Sequence, residues 1–319
     1  MLQKPKAVQI GITEKCNLSC LHCDIWKKER QPDLSIDQWR EIIVKLKDWL
    51  GPYRVDISGG EPFIRKELME IIRVCNSQKI LVVVTTNATL LTKEMIDELS
   101  GMNNLTLNIS LDGANQQTHD YLRNTPGVYQ RVMEVLQCFK FNHKKCHITL
   151  AVILMGYNLG QIKDIIKLAS VEKLADGVCF QALDNNFGLA YDPTWYFHNK
   201  LWNQEDKVIF SKLIDDLVHF KKTGLPIYNP IQQLEQFKNY FNHIDETLKK
   251  DCALGFSNFI VNPYGKVQLC WNMDPIGDIC QENPEVIWGS SLARIRRVQI
   301  KKCQRTCRIL NCNSLSEYA

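Results

Sequence analysis

Residues 7–24 read Ala-Val-Gln-Ile-Gly-Ile-Thr-Glu-Lys-Cys-Asn-Leu-Ser-Cys-Leu-His-Cys-Asp: an apolar run with the look of a strand, then a polar loop carrying Cys16, Cys20 and Cys23. Three thiolates this close on one loop can wrap three irons of a single [4Fe–4S] cube. A structural zinc ion would want a fourth nearby Cys or His. His22 is near, but neighbouring residues on so tight a loop cannot all point at one ion. The polar flanks argue against three unrelated core cysteines. Such a site leaves the fourth iron open to bind a small molecule directly, which a purely electron-carrying cluster does not need.

Outward from this loop the sequence alternates strand-like and helix-like segments up to residue 183. Ser35 starts a helix ending near Gly51; Tyr53 to Ser58 reads as a second strand, closed by Gly59-Gly60-Glu61-Pro62. Further strands are expected at Ile80–Thr85, Leu105–Leu111, Ile148–Leu154 and Gly177–Leu183, with Thr92 capping one of the intervening helices. Six βα-type units argue for an α/β fold with a parallel sheet, open or curled into a barrel. Their apolar runs suggest strands covered on both faces, and chemistry is expected at their C-terminal ends, where both signal-rich loops lie.

The whole chain has 319 residues, 45% of them hydrophobic and 23% charged, with a net charge of +4. That charge is too mild to point to nucleic acid, and no apolar stretch approaches the length that spans a bilayer. With no signal-peptide pattern at the start, the expected compartment is the cytoplasm, where clustered cysteines point to metal rather than disulfides. Of the thirteen cysteines, six sit in the last seventy residues, and five of these, Cys252, Cys270, Cys303, Cys307 and Cys312, form a second group. The scattered ones, Cys280 among them, read as small packed residues. The aromatic stretch 195–202 reads as packing, with sugar stacking as the alternative.

The Cys-x3-Cys-x2-Cys loop followed by the Gly-Gly-Glu-Pro turn resembles the radical S-adenosylmethionine superfamily, with His22 at a position that is usually aromatic there. The resemblance implies a partial (β/α)6 TIM-like barrel over residues 1–183. It implies a [4Fe–4S] cluster on Cys16, Cys20 and Cys23 whose free iron chelates S-adenosylmethionine, giving a 5′-deoxyadenosyl radical on reductive cleavage. Gly59, Gly60 and Glu61 match the turn that meets the methionine amino group. Thr86-Asn87 after the third strand also match positions common there, Ser110 is expected at the ribose or carboxylate, and Arg123 at the cofactor carboxylate. Asp112-Gly113 reads equally well as a plain turn.

The tail resembles the auxiliary-cluster domains of that superfamily, the larger SPASM and the smaller twitch form. This implies a second [4Fe–4S] cluster over residues 252–319, held by Cys252, Cys270, Cys303 and Cys307, with Cys312 the fifth candidate. Zinc also suits four cysteines. Residues 184–251 are then a substrate-covering segment, and a flavodoxin or ferredoxin would donate electrons. Peptide-modifying relatives often carry an added N-terminal peptide-binding domain, whereas this sequence opens at its first strand. The expected reaction is therefore oxidation or epimerisation of a small sugar-like metabolite. A ribosomally made peptide is the alternative substrate, and an electron-transfer or scaffold role without radical chemistry the alternative class.

Overall fold

The computed structural model describes residues 2–303 except 30, 189, 191, 204 and 244–251. Cys307 and Cys312 lie outside the described residues. Six strands run in parallel: β1 (Ala7–Thr13), β2 (Arg54–Gly59), β3 (Leu81–Thr86), β4 (Leu105–Ser110), β5 (His147–Leu154) and β6 (Gly177–Ala182). Between them come α1 (Ile36–Leu50), α2 (Leu68–Ser77), α3 (Lys93–Ser100), α4 (Gln116–Arg123), α5 (Val128–Phe141) and α6 (Ile162–Ser170). The order β6-β5-β4-β3-β2-β1 continues through β7 (Asn258–Val261), β8 (Lys266–Gln268) and β9 (Gly277–Asp278). The sheet therefore stays open, as in a partial barrel.

Local chemistry sets these elements. Ser35 accepts the Gln38 N–H while the Gln38 side chain accepts that of Ser35, a reciprocal cap that starts α1. Trp39, Ile42, Ile43 and Leu46 then recur at helical spacing and are wholly buried. Each such side chain contributes about 1.5–3 kcal/mol on leaving water. Thr92 caps α3 through the Met95 N–H.

The two faces of the sheet differ more than their apolar look suggested. On β4, Leu105, Leu107 and Ile109 are buried under the helices, while Thr106, Asn108 and Ser110 remain partly exposed on the other face. Val55 and Ile57 alternate in the same way with Asp56 and Ser58 on β2. Register sets Gln9 beside Asp56, and Asn108 between Thr85 and Thr149. Because the barrel does not close, its inner face faces an opening and carries polar side chains.

The tail is joined to the barrel by backbone. β7 pairs in parallel with β1 from Ala7↔Asn258 to Ile10↔Val261, and β8 turns back antiparallel through a hairpin in which Gly265 adopts φ 79°. Three further helices, α7 (Trp195–His198), α8 (Asp206–Lys222) and α9 (Ile231–Asn242), follow β6, and α10 (Leu254–Ser257), α11 (Pro284–Gly289) and α12 (Ser291–Lys301) flank the tail strands. Trp195 and Trp202 are buried, the latter packed on Phe210 of α8 and Phe241 of α9. The outer edge of β6 is also covered. Its Val178 N–H donates to Pro226 O and its carbonyl accepts from Tyr228 N, while the Asn229 amide side chain bonds both the N–H and the carbonyl of Phe180. Among the described residues, no helix is long and apolar enough to cross a membrane.

Candidate active site

The cysteine loop leaves the C-terminal end of β1 and is held by its neighbours on several sides. From β2, the Gly60 N–H donates to Thr13 O at 2.8 Å and the Glu61 N–H to Lys15 O at 2.9 Å. A Cβ on Gly59 would stand 2.2 Å from Thr13 O, and one on Gly60 2.0 Å from Lys15 O, so both positions need glycine. The close approach these glycines permit is to the cysteine loop itself.

The Glu61 side chain is 1% exposed and fully engaged. Its Oε1 accepts from Phe63 N and Thr86 Oγ1, and its Oε2 from Asn87 N at 2.8 Å. Burial pushes its carboxyl above the ordinary range despite those donors and the nearby Arg123. Glu61 thus ties the β2 turn to the end of β3. Asn87 carries the tie onward, its Nδ2 donating to Asn17 Oδ1 in the cysteine loop at 3.0 Å. Ala88 follows with φ 61°, a left-handed conformation that costs energy in a non-glycine residue.

Helix α4 grips the loop at three successive residues. Asn124, just past its end, donates to Ser19 Oγ; Arg123 Nη1 lies 3.7 Å from Cys20 Sγ; Leu122 O accepts from Leu21 N. Asp112, equally readable as a turn residue, is fully buried and paired with Arg123 Nη2 at 2.6 Å. Burial alone would raise the Asp112 carboxyl, but Arg123, His22 and His119 bring it below its ordinary value. His119 accepts the Asp112 N–H at Nδ1, and burial with the neighbouring Arg123 lowers its pKa to about 3.

The third grip comes from the exit of β6. The Asp24 N–H donates to Phe187 O at 2.8 Å, Cys23 bridges to Phe187, and Asn186 Nδ2 donates to Asp24 Oδ2. Ser110 ends β4 on the polar inner face, in register with Ala151. Cys16, Cys20 and Cys23 form no disulfide. Burial pushes the Cys16 pKa up to about 11, and Cys20, Glu61 and Cys23 add to that rise. A thiol so disposed is not a nucleophile near neutral pH, and it becomes a thiolate on binding metal.

In the tail, Cys252 before α10, Cys270 after β8 and Cys303 after α12 come close enough for Cys270 and Cys303 each to raise the Cys252 thiol, behind burial as the larger cause. Cys280 stands apart, exposed beside Asp278 rather than packed. Among the described residues, no three His, Cys, Asp or Glu side chains converge as around a single metal ion. A cubane cluster differs in binding each thiolate to a separate iron. Between the two cysteine groups stands Trp271, which donates to Gln9 Oε1 on β1 at 2.8 Å and meets Phe187 edge-on at 6.3 Å. Sequence reading missed Asn17, Asn186, Phe187 and Trp271; only the Asn-Asn-Phe-Gly stretch at 185–188 carried a turn-like signal.

The sequence profile described as the Radical SAM superfamily matches residues 10–169, from β1 into α6. The chain belongs to the radical SAM superfamily. Its cofactors are therefore a [4Fe–4S] cluster and S-adenosylmethionine. The residues fit the cluster: three cysteines outside any disulfide on one gripped loop, with a buried guanidinium behind it. Among curated radical SAM relatives, an AdoMet-dependent heme synthase of Methanosarcina barkeri is 27% identical over 91% of this chain and 84% of its own length. A PqqA peptide cyclase of Bradyrhizobium diazoefficiens is 27% identical over 52% of this chain and 43% of its own. The solved structure of Streptococcus suis SuiB bound to S-adenosylmethionine shares the fold at a TM-score of 0.74 and 19% identity, covering 99% of this chain and 75% of SuiB.

Proposed function

We propose that this radical SAM enzyme acts on a peptide, abstracting hydrogen from one of its carbons. The observation that carries the reading is the likeness of its barrel to a named peptide cyclase; SuiB, which shares the fold, has also been solved with a precursor peptide bound. These relatives favour a peptide over the sugar-like metabolite expected from the sequence. The heme synthase likeness spans more of the chain and supports a second reading, a tetrapyrrole substrate.

In this proposal Cys16, Cys20 and Cys23 hold the cluster, and Gly59, Gly60, Glu61, Asn87 and Ser110 form the cofactor side; the Arg123 guanidinium, expected at the cofactor carboxylate, is instead engaged by Asp112 and turned to Cys20. When bound, the cluster and S-adenosylmethionine supply a 5′-deoxyadenosyl radical on one-electron reduction. The chain's own residues fix the loop, exclude water and offer the polar inner wall around Gln9, Asp56 and Asn108 to the substrate. Cys252, Cys270 and Cys303, with Cys307 or Cys312, are proposed to hold an auxiliary [4Fe–4S] cluster, and a flavodoxin or ferredoxin to donate electrons. Whether the outcome is oxidation or epimerisation belongs to the same proposal.

The test is anaerobic reconstitution followed by incubation with S-adenosylmethionine and dithionite, alone, with short peptides encoded beside its gene, and with an iron porphyrin. Wild-type protein is expected to release 5′-deoxyadenosine and to change the mass of one peptide. The variant with Cys16, Cys20 and Cys23 all replaced by Ala is expected to release none. Equal release from both proteins would end the radical reading, and a mass change in the porphyrin alone would end the peptide reading.

A further inference from the structure

Behind the cysteine loop the fold buries an ion pair that holding the loop does not require. Asn124 and Leu122 already bond the loop on either side of Cys20. Between them Arg123, 6% exposed, turns its guanidinium towards Cys20 Sγ at 3.7 Å, with Cys23 also within electrostatic reach. Its Nη2 is paired with Asp112, whose Oδ1 is fixed by Ile153 N at 2.9 Å and whose backbone is held by His119 and Asn158. The orientation is thereby set: cation in front, facing Cys20, and anion behind. A buried ion pair is a poor source of stability, because desolvation offsets the attraction.

We propose that Arg123 is a positioning residue that raises the reduction potential of the cluster, with Asp112 partly offsetting it. The inference rests on the three-cysteine cluster reading. Reduction adds one negative charge to the cluster, and a fixed cation a few ångströms away in a low-dielectric interior stabilises the reduced form. Hydrogen bonds and charges around ligand sulfurs are the protein's means of setting such potentials. Removing the Arg123 charge makes the cluster harder to reduce. Neutralising Asp112 leaves that charge uncompensated and makes the cluster easier to reduce.

The experiment is a redox titration of the anaerobically reconstituted full chain, followed by electron paramagnetic resonance on the signal that changes when S-adenosylmethionine is added. Arg123→Met is expected to move the midpoint to a more negative potential, Arg123→Lys to move it less in the same direction, and Asp112→Asn to move it the opposite way. Iron content and circular dichroism accompany each variant. If Arg123→Met fails to fold, the opposite signs for Arg123→Lys and Asp112→Asn carry the test. A wild-type protein that takes up no iron through Cys16, Cys20 and Cys23 would overturn the cluster reading and this inference with it. Loaded variants that share the wild-type midpoint would overturn the inference alone.

Discussion

The two cysteine-bearing regions are built in different ways. The Cys16–Cys23 loop is bonded from the β2 turn, the end of β3, the end of α4 and the exit of β6. Cys252, Cys270 and Cys303 lie next to α10, β8 and α12, and near Cys270 local bonds, Gln268 Nε2 to Met273 O and Asn272 N to Cys270 Sγ, stand beside the long-range tie of Trp271 to Gln9. The difference teaches where order comes from. The first site is shaped by the fold around it, while the tail cysteines rely on the β7–β1 pairing, on Trp271 and, in the proposed reading, on the cluster they would hold.

The strongest way to break this comparison is to remove the tail ligands. Replacing Cys252 and Cys270 together by Ser is expected to leave 5′-deoxyadenosine formation intact while abolishing modified substrate, with circular dichroism showing that the barrel persists. Loss of both products alike would mean that the first site depends on the second. A glycine exchange sharpens it next. Gly60→Ala drives a Cβ into the Lys15 carbonyl and is expected to cost about 3 kcal/mol and to lower iron uptake at the first site. Gly265→Ala strains a tail turn at φ 79° and sets a Cβ 2.7 Å from the Cys280 Sγ, and is expected to cost about 1–2 kcal/mol, with iron on the first loop unchanged. Denaturant midpoints and iron per chain distinguish the two.

A third test concerns acid. His119 is held at a pKa of about 3, below its ordinary 6.5, so the unfolded chain takes up the proton first. Its contribution to stability is complete above about pH 6.5 and is lost as pH falls from there towards 3. In His119→Asn, whose amide oxygen can also accept the Asp112 N–H, the unfolding midpoint is expected to fall less between pH 7 and 5 than in the wild type. An equal fall would place the acid lability elsewhere.

What the sequence made legible was local chemistry: strand runs, the capping Ser35 and Thr92, the cysteine spacing and the glycine turn. Helix α4 was not anticipated, because only Thr118, His119, Leu122 and Arg123 of its eight residues are buried and most of those are polar. The β7–β1 pairing and the Trp271–Gln9 bond join residues some 250 or more positions apart, which no periodicity reports. Glu61 and the paired glycines were found for their ligand chemistry, yet the structure spends much of that chemistry on the chain itself. Gly60 admits the backbone of Lys15, and Glu61 bonds Phe63, Thr86 and Asn87.

An unclosed barrel has a solubility problem that a closed one lacks. A strand with bare amides at the rim of a sheet is a template on which a neighbouring chain can crystallise into aggregate, above all in the crowded interval after synthesis. Here the Asn229 side chain, by giving and accepting a hydrogen bond at Phe180, acts as a one-residue substitute for the missing strand. That rim is thereby denied to other copies of the molecule.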